Sequence, residues 1–225
     1  MNQTTTIRIA EDFFCDSHCY LLTSSSLGGS NLTPPQISET ISSGDREDIK
    51  SLLDAGIAIP LLFPGDCALD NSTLFVVDDL TKEQERDWIA KIACKLNIPC
   101  GKFVLLCGGA YPEELEYAIS LRSPEPNYTI HQVIDLPADE YLVEILAYYP
   151  SMTVQLSLEE YDSGLNMKEN VELREWYEKN QPGVDGVSYI IRFSPLHGRK
   201  LALPKLDDES GWVGIFEFRS TKQSC

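Results

Sequence analysis

The sequence predicts an α+β fold: a single domain, residues 1–225, with a mixed, largely antiparallel sheet or sheets of about ten strands and three helices. Two observations predict it. Short apolar runs with period-2 alternation outnumber the stretches with helical spacing, and the two kinds are interleaved along the chain. Hydrophobic residues make up 43% and charged residues 24% of the 225, which is ordinary globular usage, so a core can form in one large domain. There is no repeat of fixed period and no heptad pattern.

Alternation in Thr4 to Ala10 and again in Phe13 to Leu22 predicts two opening strands, joined as a hairpin around Glu11-Asp12. Residues 23–40 (TSSSLGGSNLTPPQISET) are rich in Ser, Thr, Gly and Pro and predict an exposed low-complexity loop. Asp45 is placed to cap a short helix whose stripe is Ile49, Leu52 and Leu53 and whose end is Gly56. Ile57 to Phe63 and Thr73 to Val77 predict buried strands on either side of the turn signal Pro64-Gly65-Asp66.

Thr81-x-x-Gln84 forms a capping box, and Trp88, Ile89, Ile92 and Leu96 share one helical face, so a helix is expected from Thr81 to about Leu96, with Asp87 and Lys91 as an i, i+4 pair. With the strand Lys102 to Cys107 after it, this order permits a strand-helix-strand crossover from Thr73 onward. Tyr128 to Leu136 and Tyr141 to Tyr149 read as strands. In the second, Tyr141, Val143, Ile145 and Ala147 point one way, and Leu142, Glu144, Leu146 and Tyr148 the other. Thr153 to Leu158 is expected to be a further strand and Asn166 to Asn180 a helix; Val187 to Phe193 and Trp212 to Arg219 are the closing strands.

Charge is the most informative functional signal. The chain carries 18 basic and 35 acidic residues, a formal charge of −17, and between Ser123 and Met167 there is no lysine or arginine. From Glu113 to Asp162 eleven acidic side chains stand against one basic, Arg122. A field of that sign repels nucleic acid phosphates and anionic lipid and attracts basic protein surfaces, so neither nucleic acid nor membrane is expected as a partner. The opening residues lack the charged and apolar regions of a signal peptide, and the expected location is the cytoplasm, where reduced thiols are the default.

Motifs of catalysis are sparse. Gly28-Gly29 and Gly108-Gly109 match no phosphate-binding loop, and no serine nucleophile elbow or H-E-x-x-H is present, so no cofactor is expected. Cys15, His18 and Cys19 are the densest group of candidate metal ligands, but on an extended strand Cys15 and Cys19 face away from His18. Small buried thiols beside one histidine are the plainer reading. Cys107 before Gly108-Gly109 could be a reactive thiol, or a core cysteine followed by a turn. Acidic doublets are common in so acidic a chain and carry little meaning by themselves.

The stretch VVDDLTKEQERDWIAKIACKLNIPCGKFVLLCGG, followed by IDLPADEYLVEILAYYPSM, resembles bacterial proteins of unknown function over roughly a third of the chain. The resemblance implies a bacterial, cytosolic, non-catalytic domain and assigns no site residue.

The leading expectation is a non-catalytic interaction protein, inhibitor-like or immunity-like, that presents an acidic, tyrosine-containing face to a basic protein. The residues expected to form that face are Glu125, Asp135, Asp139, Glu140, Glu144, Tyr148, Glu159 and Glu160. The alternatives are a small metal-dependent or cysteine-dependent hydrolase, with Cys107 or His131 near its site, and an acidic domain whose charge serves solubility alone.

Overall fold

The computed structural model describes residues 5–108, 111–122, 130–159 and 183–219, together with 175, 177, 179 and 180. In chain order the strands are β1 (Thr5–Arg8), β2 (Cys19–Ser24), β3 (Ala58–Leu62), β4 (Thr73–Val77), β5 (Ala90–Ile98), β6 (Lys102–Cys107), β7 (His131–Asp135), β8 (Asp139–Ala147), β9 (Tyr189–Pro195) and β10 (Glu217–Phe218). The helices are α1 (Pro34–Ser43), α2 (Arg46–Ala55), α3 (Lys82–Asp87), α4 (Pro112–Ile119) and α5 (Met152–Glu159). The α+β class and the ten strands agree with the sequence expectation, and five α-helices have both ends within the described residues.

The strands form two sheets, one of six in the order β1-β4-β9-β8-β5-β10 and one of four in the order β3-β2-β6-β7. Every pair is antiparallel except β4 with β9. One apolar core joins them. Phe103 of the small sheet meets Phe193 of the large one with ring centroids 4.8 Å apart, and Phe75 lies 5.9 Å from Phe103. Helix α4 packs on β6 and β7 of the small sheet, α1 packs on α4 and α2, and α2 bridges β3 of the small sheet and β5 of the large one.

The β8 strand divides as its alternation requires. Tyr141, Val143, Ile145 and Ala147 enter the shared core, while Leu146, with Tyr148 just beyond the strand end, joins a second cluster with Leu74, Val76, Val187 and Ile190 on the other face. That second cluster covers one half of the large sheet's outer face. The other half stays polar.

Several expected elements differ. There is no hairpin at Glu11-Asp12, because β1 pairs with β4 in one sheet and β2 with β3 and β6 in the other. Residues 23–40 are not a free loop: Thr23, Ser24, Leu27 and Ile37 are buried, and α1 starts inside the segment. Its two prolines occupy the first turn, where a missing N–H costs nothing, and the Thr33 N–H donates to Gln36 Oε1 at 2.9 Å.

The helix expected from Thr81 to Leu96 ends at Asp87. Its capping box forms, with Gln84 N–H 3.2 Å from Thr81 Oγ1 and Thr81 N–H 2.9 Å from Gln84 Oε1. Trp88 then turns extended and β5 begins, burying Ala90, Ile92, Cys94, Leu96 and Ile98 in strict alternation. The same apolar residues satisfy both periods, and pairing along the whole of β8 selects the strand. Asp87 accordingly pairs with Arg86 and Lys91 with Glu144. The crossover fails for a different reason: β4 and β6 belong to different sheets.

Residues 153–158 form most of α5 rather than a strand. Ser151 starts that helix, its carbonyl accepting from Gln155 N–H at 2.9 Å and its hydroxyl from Val154 N–H at 3.3 Å. Trp212 to Arg219 shortens to β10 and a single bridge from Val213 to Leu61. The helix expected over Asn166 to Asn180 lies outside the described residues except at 175, 177, 179 and 180, which are helical.

Candidate interaction surface

Glu144 lies on the polar half of the large sheet. Register sets it opposite Arg192 on β9 and Ala93 on β5, so cations from both neighbouring strands reach it. Its Oε2 accepts from Arg192 Nη1 at 3.2 Å and its Oε1 from Lys91 Nζ at 3.4 Å. Arg192 also donates through Nε to Asp78 O at 2.7 Å and approaches the exposed Asp79 at 3.9 Å. Lys91 and Arg219 stack on the Trp88 ring at 5.1 and 4.0 Å.

Of the other described residues nominated from sequence, two already have cations and one is buried. Glu140 pairs with Lys95 at 3.3 Å on the large sheet, whereas Asp135 pairs with Lys102 on the small one. Asp139 is exposed and accepts the Glu140 N–H at 2.7 Å. Tyr148 presents nothing to a partner: it is fully buried, its hydroxyl donates to Gln84 O at 2.8 Å, and burial pushes its phenol pKa up. Glu125 and Glu160 lie outside the described residues, and Glu159 is placed only as the last residue of α5.

Within the same acidic window, α4 retains uncompensated charge. Pro112 opens the helix, Glu113 and Glu114 sit in the first turn where the helix dipole favours them, and Leu115 and Ala118 bury against the small sheet's side. That burial turns Glu113 and Glu116 outward and leaves Glu114 half-buried. Burial, with Glu113 next to it, raises the pKa of Glu114. Among the described residues none of the three makes an ion pair. Tyr111, at the N-cap, is 66% exposed, and Leu121, just past the helix, 44%. Sequence reasoning passed over α4 as another solvated doublet. The available signal was Leu115 and Ala118, one turn apart, which fix the outward side of Glu113 and Glu116.

The cysteines answer the catalytic readings. Cys15 and Cys107 form a disulfide, with Cα atoms 5.4 Å apart across 92 residues of sequence. It overturns the expectation of reduced thiols at these two positions, removes Cys107 as a nucleophile and takes Cys15 away from His18 and Cys19. His18 is exposed and lies against Asp66, Nδ1 to Oδ1 3.3 Å. Cys19 is half-buried, and burial raises its thiol pKa. His131 is buried, its ring edge-on to Tyr117 at 5.4 Å, and burial lowers its pKa. Among the described residues no group of three His, Cys, Asp or Glu side chains is arranged to hold a metal ion.

Cys100 is the thiol that sequence reasoning missed. It is exposed in the β5–β6 turn with its sulfur 3.2 Å from Ser25 Oγ. Partial burial raises its pKa, but hydrogen bonds from Ser25, Ser26 and the nearby backbone outweigh that and bring it down to about 7.

A cleft of about 420 Å³ opens where the end of α2 and the polar face of β5 and β8 meet residues 198–204, the segment after β9. Leu53 and Asp54 come from α2 and Lys95 and Glu140 from the sheet. Among the described residues no helix is long and apolar enough to cross a membrane.

No protein-family model and no curated protein matches the chain. Among solved structures it is similar to Crocagin biosynthetic gene J, with a TM-score of 0.43 and 17% identity over 86% of this chain and 97% of that one. It is also similar to ComJ from Bacillus subtilis, described as an inhibitor of the DNA degrading activity of NucA, with a TM-score of 0.29 and 12% identity over 86% of this chain and 95% of that one. At these TM-scores neither likeness carries an argument about this chain.

Proposed function

We propose that this protein is a non-catalytic interaction protein, inhibitor-like or immunity-like, that docks a basic surface of a protein partner on α4. The observation that carries the reading is the combination on that helix of three carboxylates without a cation and an exposed tyrosine. Elsewhere in the acidic window Asp135, Glu140 and Glu144 each have a cation already, so they have less charge to offer a partner. Tyrosine suits the centre of such a surface, since it supplies a large contact area at low entropy cost, and the carboxylates around it supply steering. The net charge of −17 makes nucleic acid a poor partner and basic proteins good ones.

The test is affinity capture with the intact chain, followed by binding measurements with the purified partner at several ionic strengths. Association is expected to slow as salt rises, to weaken about tenfold or more in the variant Glu113→Lys with Glu116→Lys, and to weaken again in Tyr111→Ser. Binding that ignores both salt and the charge-reversed helix would overturn the α4 reading. A partner whose own activity survives saturation would remove the inhibitor part alone.

A further inference from the structure

The cleft beside α2 has a charge opposite to that of the rest of the molecule. Lys95, Arg199 and Lys200 line it against Asp54 and Glu140, a local excess of cations in a chain of −17. Lys95 and Glu140 satisfy each other across 3.3 Å, which leaves Arg199 and Lys200 with no carboxylate partner among the described residues.

The cleft wall is built by backbone geometry. Leaving β9, the chain takes two successive left-handed residues, His197 at φ 51° and Gly198 at φ 71°, and Arg199 N–H closes the turn on Leu196 O at 3.0 Å. The same turn orients the arginine: Nε donates to Leu196 O at 3.1 Å and Nη2 to Pro195 O at 3.3 Å. A guanidinium held on one edge by two carbonyls keeps further donors for an incoming anion and loses little freedom in binding it. Beyond it Leu201, half-buried, and Leu203, 41% exposed, line the cleft. Two leucines beside a held guanidinium and an exposed lysine in a mostly polar cleft offer a small ligand both a charged and an apolar contact, and the volume lies within the range of about 300–1,000 Å³ typical of a small-molecule site.

We propose that this cleft binds a small amphipathic anion, its charged group at Arg199 and Lys200 and its apolar body against Leu201 and Leu203. The inference does not depend on the α4 reading. Asp54, also on the cleft wall, repels such a ligand's charge.

The test uses octanoate as the probe on the full chain, with 1-octanol and octylammonium as neutral and cationic counterparts, followed by backbone amide chemical shifts. Octanoate is expected to shift the amides of residues 53–54, 95 and 198–203 saturably. Replacing Arg199→Gln and Lys200→Gln together is expected to weaken it about tenfold or more, while Asp54→Asn strengthens it. All three positions are exposed. Amide shifts outside the cleft in each variant report that the fold is kept. No saturable shift at millimolar octanoate, equal binding of 1-octanol or octylammonium, perturbation centred elsewhere, or undiminished binding by the folded double variant would each overturn the proposal.

Discussion

Glu144 on β8 stands directly across the ladder from Arg192 on β9, 3.2 Å from carboxylate to guanidinium, and its other oxygen takes Lys91 from the opposite neighbour at 3.4 Å. With the Glu144 side chain 11% exposed and Arg192 21%, this pair is more desolvated than the pairs at Arg46–Asp208 or Lys50–Glu47. Removing one partner strands the other's charge. Glu144→Ala is expected to cost about 2 kcal/mol, a buried-pair penalty reduced by the solvent that still reaches the two cations. The double variant Glu144→Leu with Arg192→Leu should cost less than the sum of the singles in urea unfolding. Additive losses would mean that the two side chains do not interact.

The disulfide ties the segment before β2 to the end of β6, immediately ahead of α4. Closing so long a stretch of chain restricts the unfolded state most, and its loss is expected to cost about 3 kcal/mol. Reductant should lower the unfolding free energy of the native chain by that amount, read as a lower urea midpoint, and leave Cys15→Ser with Cys107→Ser unchanged. A native midpoint indifferent to reductant would show that the bond adds nothing to stability.

Asp207 organises the turn that meets the α1–α2 junction. Its carboxylate accepts from the backbone N–H of Ser210 at 2.8 Å and of Glu209 at 3.1 Å and from the Ser210 hydroxyl at 2.9 Å. The hydrogen bond from the Ser210 backbone is the main cause of a pKa held below the ordinary carboxylate value. A depressed folded-state pKa gives stability that is full above the unfolded value of about 3.9 and is lost as pH falls through the folded one. Melting temperature in native protein should therefore fall more steeply than in Asp207→Asn between about pH 4 and pH 2. Parallel curves would exclude this carboxylate as a source of acid sensitivity.

Cys100, brought to about 7 by its serine neighbours, is expected to be the fastest of the free thiols among the described residues with iodoacetamide, and its rate should rise through neutral pH. Ser25→Ala removes a hydrogen bond to the thiolate and should move that rise to higher pH. Cys94, buried and pushed up by burial, should react only on unfolding. Labelling of Cys94 before Cys100 in the native state would contradict this order.

Much of the fold was legible where local pattern and final environment agree. The alternation of β8 named both of its faces, Asp45 caps α2 through Glu47 and Asp48 N–H as its position implied, and Thr81 starts a helix. The candidate site was less legible. Glu140 and Glu144 read as partner-facing acid because their neighbours in sequence carry no cation, yet Lys95, Lys91 and Arg192 arrive from other strands. In α4 the carboxylates keep their charge because helical neighbours are sequence neighbours, and none of those on its exposed side is basic.

The sequence by itself determined the α+β class, the strands whose apolar period is unambiguous, the helix caps, and a net charge that disfavours nucleic acid. Each follows from composition or from residues within a few positions of one another. Only the tertiary structure decided that Ile92 and Leu96 lie on a strand, that Cys15 meets Cys107, and that Glu144 is neutralised by residues 48 and 53 positions away. Those outcomes depend on which strands pair. Strand pairing is a contest between distant segments for one buried face, and the period of a single segment does not decide it.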